Sequence, residues 1–246
     1  MGLSLTVLGA SGSYPGRGDA CSGYLVQGGG VNLLVDLGPG SLANLQRHLD
    51  LGAVDAVILS HRHPDHWTDL TGLAVAWKYA LGRDGLPVYG TAENRQIADE
   101  LMSGVAPTVT WHDIADRSVI DVGRLRCRFA RTIHYVETLA VRIDDLDSGY
   151  SLAYSADTGP GWSFSSLGEG IDLGLCEATN LAVAEDAGML HLSARQAGVM
   201  ARAAGVPRLM LTHIWPGGDP EDYRAEGTEA FGAPVEIAIT NERYDL

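Results

Sequence analysis

The residues best suited to chemistry in this chain are crowded into one run, His61-Arg62-His63-Pro64-Asp65-His66. His61 and His63 are two positions apart in an extended segment, so their rings project the same way and can share one cation. Pro64 breaks the extended run, which frees Asp65 and His66 to face a second position close by. His134, Asp157 and His213 each fall at the end of an expected strand or in the loop just beyond it. Two cations about 3.5–4 Å apart need a shared ligand, often a carboxylate, and a bridging water. Asp157 is the natural candidate for that bridge. Imidazole and carboxylate donors suit Zn²⁺, with Mn²⁺ and Fe also compatible. Cys21, Cys127 and Cys176 lie outside these motifs, so the pattern reads as a hydrolytic site rather than a structural thiolate one. A lone histidine at a strand end is more often a packing residue; the six-residue HxHxDH run sets this group apart.

The elements that must carry these residues follow from periodicity. Strands are expected at 3–8, 22–27, 31–37, 53–59 and 86–89, with helices at 41–49, 70–81 and 93–102. The second half predicts strands at 118–121, 125–131, 138–143, 151–155, 173–176, 208–212 and 235–239, and helices at 194–204 and 220–231. Strands occur in hairpins and helices fall between groups of strands, which suits two mixed sheets packed face to face with helices outside. No low-complexity linker divides the chain, and residues 1–246 read as a single domain.

Composition narrows the function classes. With 46% hydrophobic residues the chain is globular. A formal net charge of −14 and the lack of any Lys/Arg run argue against a groove that tracks nucleic acid. Arg124, Arg126 and Arg128 alternate along one expected strand, with Arg131 beyond them, and read as a solvated face. Acidity is no bar to a phosphate substrate, because bound cations reverse the local field. Three widely spaced cysteines give no disulfide framework and no CxxC, which points to the cytoplasm. No signal peptide or membrane-length apolar stretch is expected. The opening Met1-Gly2-Leu3-Ser4-Leu5-Thr6 fits a myristoylation pattern formally but reads better as a strand. Tyr14, Trp67 and Trp215 lie near the motifs and can stack on a base or simply wall the site. Gly38-Pro39-Gly40 can offer backbone N–H groups to a phosphate or be a plain strand-to-helix turn, and Gly9-Ala10-Ser11-Gly12 is a loop signal of the same weak kind. His48 and His112 read as surface residues.

Taken in order, HxHxDH, His134, Asp157 and His213 resemble the pattern of the metallo-β-lactamase superfamily over essentially the whole chain. The resemblance implies a four-layer αββα sandwich (α/β class) with the metals at one edge between the sheets. It implies that His61, His63 and His134 hold one divalent metal ion, that Asp65, His66 and His213 hold a second, and that Asp157 bridges them. Cys176-Glu177-Ala178-Thr179 resembles the HEAT segment of ribonuclease Z-type phosphodiesterases, with Cys176 in place of the histidine. His191-Leu192-Ser193 resembles their His-x-Ser/Thr motif, whose histidine acts on the leaving group. Leu152–Gly159 and Leu211–Pro216 are similar to segments of actinobacterial cyclic-nucleotide phosphodiesterases. A small phosphodiester is then the expected substrate, with Asp65 orienting water, His191 protonating the leaving oxygen and Glu177 orienting a histidine. The alternatives are a tRNA 3′-end endonuclease, a lactone or ester hydrolase, and a non-catalytic metal-binding protein. The long arm of ribonuclease Z has no room in residues 135–156, where an acidic hairpin at Asp144–Gly149 is expected. A homodimer is compatible with the resemblance.

Overall fold

The computed structural model describes residues 2–102, 107–186 and 188–246; the Met1 end of the myristoylation pattern lies outside them. The strands are β1 (Ser4–Gly9), β2 (Gly23–Gly28), β3 (Val31–Leu37), β4 (Ala56–Ile58), β5 (Leu86–Gly90), β6 (Val109–Asp113) and β7 (Val119–Val122). They continue with β8 (Leu125–Arg131), β9 (Leu139–Asp145), β10 (Ser151–Tyr154), β11 (Leu173–Glu177), β12 (Leu209–Thr212), β13 (Glu236–Ile237) and β14 (Arg243–Asp245). The α-helices are α1 (Ser41–Leu45), α2 (Asp69–Val75), α3 (Ala92–Leu101), α4 (Ala194–Ala203) and α5 (Pro220–Phe231).

Two seven-stranded sheets form, in the orders β14-β1-β2-β3-β4-β5-β6 and β13-β12-β11-β10-β9-β8-β7. Each is mixed. The run β3 to β6 is parallel in the first, and β10 to β13 is parallel in the second. The alternating side-chain direction of a strand makes the layers. In β3, Leu33 and Val35 join the core between the sheets with Phe129, Val141 and Leu175, while Leu34 and Leu37 face Leu45, Leu70 and Leu73 on the helical side. In β12, Met210 points into the shared core, and Leu209 and Leu211 pack with Ala197, Ala201 and Phe231 under α4 and α5. Both faces are buried, which is why these strands read as near-continuous apolar runs. The result is the expected αββα sandwich.

The local differences have physical causes. α1 stops at Leu45 rather than Leu49, because the chain beyond it closes in tight turns, Arg47 N–H to Asn44 and His48 N–H to Leu45. The helix expected at 70–81 begins at Asp69 and widens into a single broad turn at Ala76–Ala80. Two edge strands lie outside the expected set. β6 lies at the sheet edge and carries Thr110, His112 and Asp113, and β14 is three residues pairing with β1. The arginine face is solvated and neutralised, since Arg124, Arg126 and Arg128 pair with Asp147, Asp121 and Asp144. His48 bonds Asn241 and His112 stacks on Tyr89, both away from the histidine run.

The parallel strands β4, β11 and β12 lead at their carboxyl ends to His61, Glu177 and His213, and β10 leads to Asp157, so both sheets deliver their polar residues to one edge. Open parallel sheets bind ligands at that end. Gly38-Pro39-Gly40 is a packing turn there, with Gly38 N–H bonded to Ser22, Cys21 N–H bonded to Pro39 and Ser41 N–H bonded back to Gly38. A methyl on Gly38 would lie 1.9 Å from the carbonyl oxygen of Asp65 and 2.7 Å from Cys21 Cβ. Gly38→Ala must therefore force β3 and the 61–66 turn apart. Overpacking of this kind costs about 1–3 kcal/mol, so a calorimetric melt should show a midpoint lowered by about 2–12 °C.

Candidate metal centre

Seven side chains expected at the site converge. The nitrogens and carboxylates of His61, His63, His134 and Asp157 form one group within 4.8 Å, and those of Asp65, His66 and His213 form another. Asp157 stands between them. Its Oδ2 is 3.6 Å from His61 Nε2 and 3.7 Å from His134 Nε2, and its Oδ1 is 3.3 Å from His66 Nε2 and 3.4 Å from His213 Nε2. One carboxylate thus turns an oxygen to each group.

The outer ring nitrogens settle where the inner lone pairs point. His134 Nδ1 must donate to the Leu190 carbonyl, 3.0 Å away, and His66 Nδ1 donates to Asp36 Oδ2 at 2.7 Å. Ser60 Oγ gives its proton to Asp36, so it accepts from His61 Nδ1 at 3.0 Å. Thr179 Oγ1 gives its proton to Glu177 Oε2 and accepts from His213 Nδ1 at 2.8 Å. These partners turn the Nε2 atoms of His61, His66, His134 and His213 inward. His61 Nε2 and His134 Nε2 each lie 3.1 Å from His63 Nδ1, and His66 Nε2 lies 3.2 Å from His213 Nε2. Asp157 Oδ1 is buried with no hydrogen-bond partner. Clustered acceptors with too few donors are what a cation requires, so the residues fit a metal pair.

Burial and charge act as this arrangement predicts. Burial, followed by the neighbouring His66, holds the His61 imidazole well below its ordinary pKa, and burial lowers those of His63 and His134. These three imidazoles are held neutral, the form in which imidazole can bind a cation. Burial would also discharge His66, but Asp157, Asp65 and Asp36 outweigh it and hold its pKa well above normal. Burial opposes ionisation of Asp157 and Asp65, yet His213, His66 and His61 around the first, and His66 and His213 around the second, keep both carboxylates ionised. The proton on His66 in the metal-free protein offsets negative charge that a cation would otherwise neutralise.

Glu177 is fully buried and accepts from Thr158 N–H, Thr179 N–H and hydroxyl, Leu192 N–H and His191 Nδ1, the last at 3.0 Å. It holds His191 directly and His213 through Thr179. His191 stacks on His213 with centroids 5.6 Å apart and meets His134 edge-on at 5.0 Å. Burial lowers the His191 pKa, but the Glu177 carboxylate more than offsets this and raises it to about 9.

Asp36 belongs to no motif in the sequence. It sits in the apolar strand Val31–Leu37, and pairing slips there: Gly23 faces Leu37 and Tyr24 faces Val35. Asp36 is the bulged residue, at φ 55°, and the bulge turns its carboxylate to Ser60 N–H and hydroxyl, His66 and the Tyr154 hydroxyl. A charged residue inside an apolar run was its only signal. Bulges next to sites re-aim side chains in this way. Among the described residues six non-glycines have positive φ, and Ser13, Asp36, Ala156 and His213 are four of them; strain collects where function needs it. Trp67, considered as a base platform, is 1% exposed and donates to the Arg62 carbonyl, so it is a wall of the core.

Two mixed sheets with a buried His/Asp cluster at their shared strand ends define a metal-dependent hydrolase. The beta-lactamase superfamily domain profile matches residues 31–214, and the chain belongs to that superfamily. It is 35% identical over 254 residues to the uncharacterized protein Rv1339 of Mycobacterium tuberculosis, covering 99% of this chain and 92% of that one. It is 31% identical to the probable metallo-hydrolase YhfI of Bacillus subtilis, covering 96% of this chain and 97% of that one. The crystal structure of YhfI superposes with a TM-score of 0.90 over 99% of both chains. A ribonuclease Z of Mycolicibacterium gilvum is 27% identical over 99% of this chain and 96% of its own.

Two outcomes follow. Chelation with EDTA should lower the melting temperature and added Zn²⁺ should restore it, since a ligand at a hundred times its Kd stabilises the native state by about 2.7 kcal/mol; Asp157→Ala should lose the zinc-dependent part. Asp36→Asn leaves the ligands in place but unfixes His66 and His61, and should weaken zinc affinity by about 10–100-fold in a competition titration.

Proposed function

We propose that this protein hydrolyses phosphodiester bonds in cyclic nucleotides of the cyclic AMP type, or in other small phosphodiesters, with residues 1–246 acting as one domain without an RNA-gripping arm. The observation that carries the reading is His191. It lies against a ligand from each metal group, its outer nitrogen is tied to Glu177, and that tie leaves Nε2 free to serve a reacting atom. Hydrolysis of an ester with a good leaving group needs no such donor, whereas departure of an alkoxide from phosphorus does.

In this reading His61, His63 and His134 hold one divalent cation and Asp65, His66 and His213 the other, with Asp157 shared. When bound, the pair supplies an activated water and neutralises charge on the phosphoryl oxygens. Asp65, fixed by the Ser13 N–H at 2.9 Å, orients the attacking water. His191 gives its proton to the departing oxygen, and Glu177 keeps the ring aligned while it does so. Zn²⁺ is the cation we favour, on the imidazole-rich donor set.

The likeness to ribonuclease Z supports the phosphodiester class. A small substrate is favoured over tRNA because the residues between His134 and Asp157 form only the β9–β10 hairpin, which leaves no room for a long arm. No helix among the described residues is long and apolar enough to cross a membrane. Cys21, Cys127 and Cys176 are free and buried, which supports the cytoplasm as the compartment.

The zinc-loaded protein should turn over cyclic AMP and bis(p-nitrophenyl) phosphate and leave a tRNA precursor and a lactone intact; loss of the lactone alone would overturn the reading. His191→Ala should reduce kcat for cyclic AMP by about 10²–10⁴-fold and for bis(p-nitrophenyl) phosphate much less, because p-nitrophenolate leaves without a proton. Equal losses on both substrates would refute the role of His191 as proton donor.

A further inference from the structure

Resting on that reading, we infer that Tyr14 and Trp215 form the part of the site that selects the substrate, by holding the flat base of a nucleotide over the Asp65–His213 side of the metal centre. Tyr14 is 48% and Trp215 47% exposed. By contrast Trp67, Trp77 and Trp162 are buried. Scattered exposed rings are ordinary; what distinguishes this pair is how firmly it is fixed to the ligands. Trp215 lies two residues beyond His213, and Tyr14 follows Ser13, whose N–H donates to Asp65 Oδ2. The two backbones are laced together, Gly12 N–H to the Ile214 carbonyl at 2.9 Å and Ile214 N–H to the Ala10 carbonyl at 3.1 Å. Ser13 is held at φ 63°, and a methyl on Gly12 would lie 2.8 Å from His213 Nδ1. Loop and ligand histidine are therefore in direct contact.

The rings meet edge-to-face, with centroids 5.6 Å apart and planes at 85°. That geometry lets each ring brace the other while both keep about half of their surface open. A planar base stacks on such a face with no need of positive charge, which suits a chain of net charge −14. Tyr135, 62% exposed and set edge-on against His134, is the rival platform on the opposite side. Among the described residues the ring beside it is the His134 imidazole, not a second exposed aromatic.

Base stacking on an aromatic side chain is sequence-tolerant and its loss weakens binding by about 5–150-fold. The test is calorimetric titration of the zinc-loaded protein with adenosine 5′-monophosphate and with ribose 5-phosphate, which differ only in the base. The wild type should prefer the nucleotide at least tenfold. Trp215→Leu and Tyr14→Leu should each cut that preference at least fivefold, while Trp215→Phe and Tyr14→Phe, which keep a ring, should retain it within threefold. Equal binding of the two ligands by the wild type, an undiminished preference in Trp215→Leu, or its loss in Tyr135→Ala would each overturn the inference. The titration needs no turnover. A protein that leaves cyclic AMP intact yet shows the ring-dependent preference refutes the proposed reaction and supports the base site. Hydrolysis of cyclic AMP with a KM unchanged by Trp215→Leu does the reverse.

Discussion

The structure depends on holding imidazole nitrogens and carboxylates together where too few donors are present to satisfy them. His61, His63 and His134 crowd their nitrogens to 3.1 Å contacts, and His66 and His213 to 3.2 Å. Burying so many polar nitrogens and carboxylate oxygens with so few donors is unfavourable by itself in a low-dielectric interior. The arrangement persists because His61, His66, His134 and His213 are held from behind. Asp36 fixes His66 directly and His61 through the Ser60 hydroxyl, and Glu177 fixes His191 directly and His213 through the Thr179 hydroxyl. Two buried carboxylates, one from each sheet, thus set the tautomers on which ligation rests.

That constraint explains the sandwich. Asp36 reaches His66 from the end of β3, while Glu177 ends β11 and His213 follows β12. The two sheets must stay in register at this edge for ligands from both to meet. Tyr154 from the second sheet donates to Asp36 in the first, and Tyr24 from the first is bonded to Thr212 in the second at 2.7 Å. These bonds join the sheets immediately behind the site. The apolar core between the sheets supplies stability, while these polar links supply alignment.

The acidic charge of the chain is compatible with the proposed phosphate chemistry because recognition would be divided. In that proposal cations would take the phosphate, a protonated His191 would protonate the leaving oxygen, and uncharged rings would remain for the rest of the substrate. The arginines that composition first brings to notice are spent on neighbouring aspartates far from the histidine run. A site built on this plan needs no basic groove.

Much of this was legible in sequence, and for a definite reason. His61, His63, Asp65 and His66 act through local spacing, which a short extended run and a proline determine by themselves. The apolar runs of β3 and β12 and the amphipathic helices 194–203 and 220–231 likewise declare themselves through periodicity, because each buries a face that its own residues define. What depended on contacts between distant segments was not readable. β14 exists because β1 offers it an edge. Asp36 functions because a slip in pairing with β2 rotates one carboxylate out of the strand pattern. Trp67 is core and Trp215 surface although each stands near a histidine motif, since the packing around them, not their own spacing, decides which ring meets water. Sequence determined which groups could bind a cation; only the meeting of the two sheets decided that Asp157 would face both groups at once.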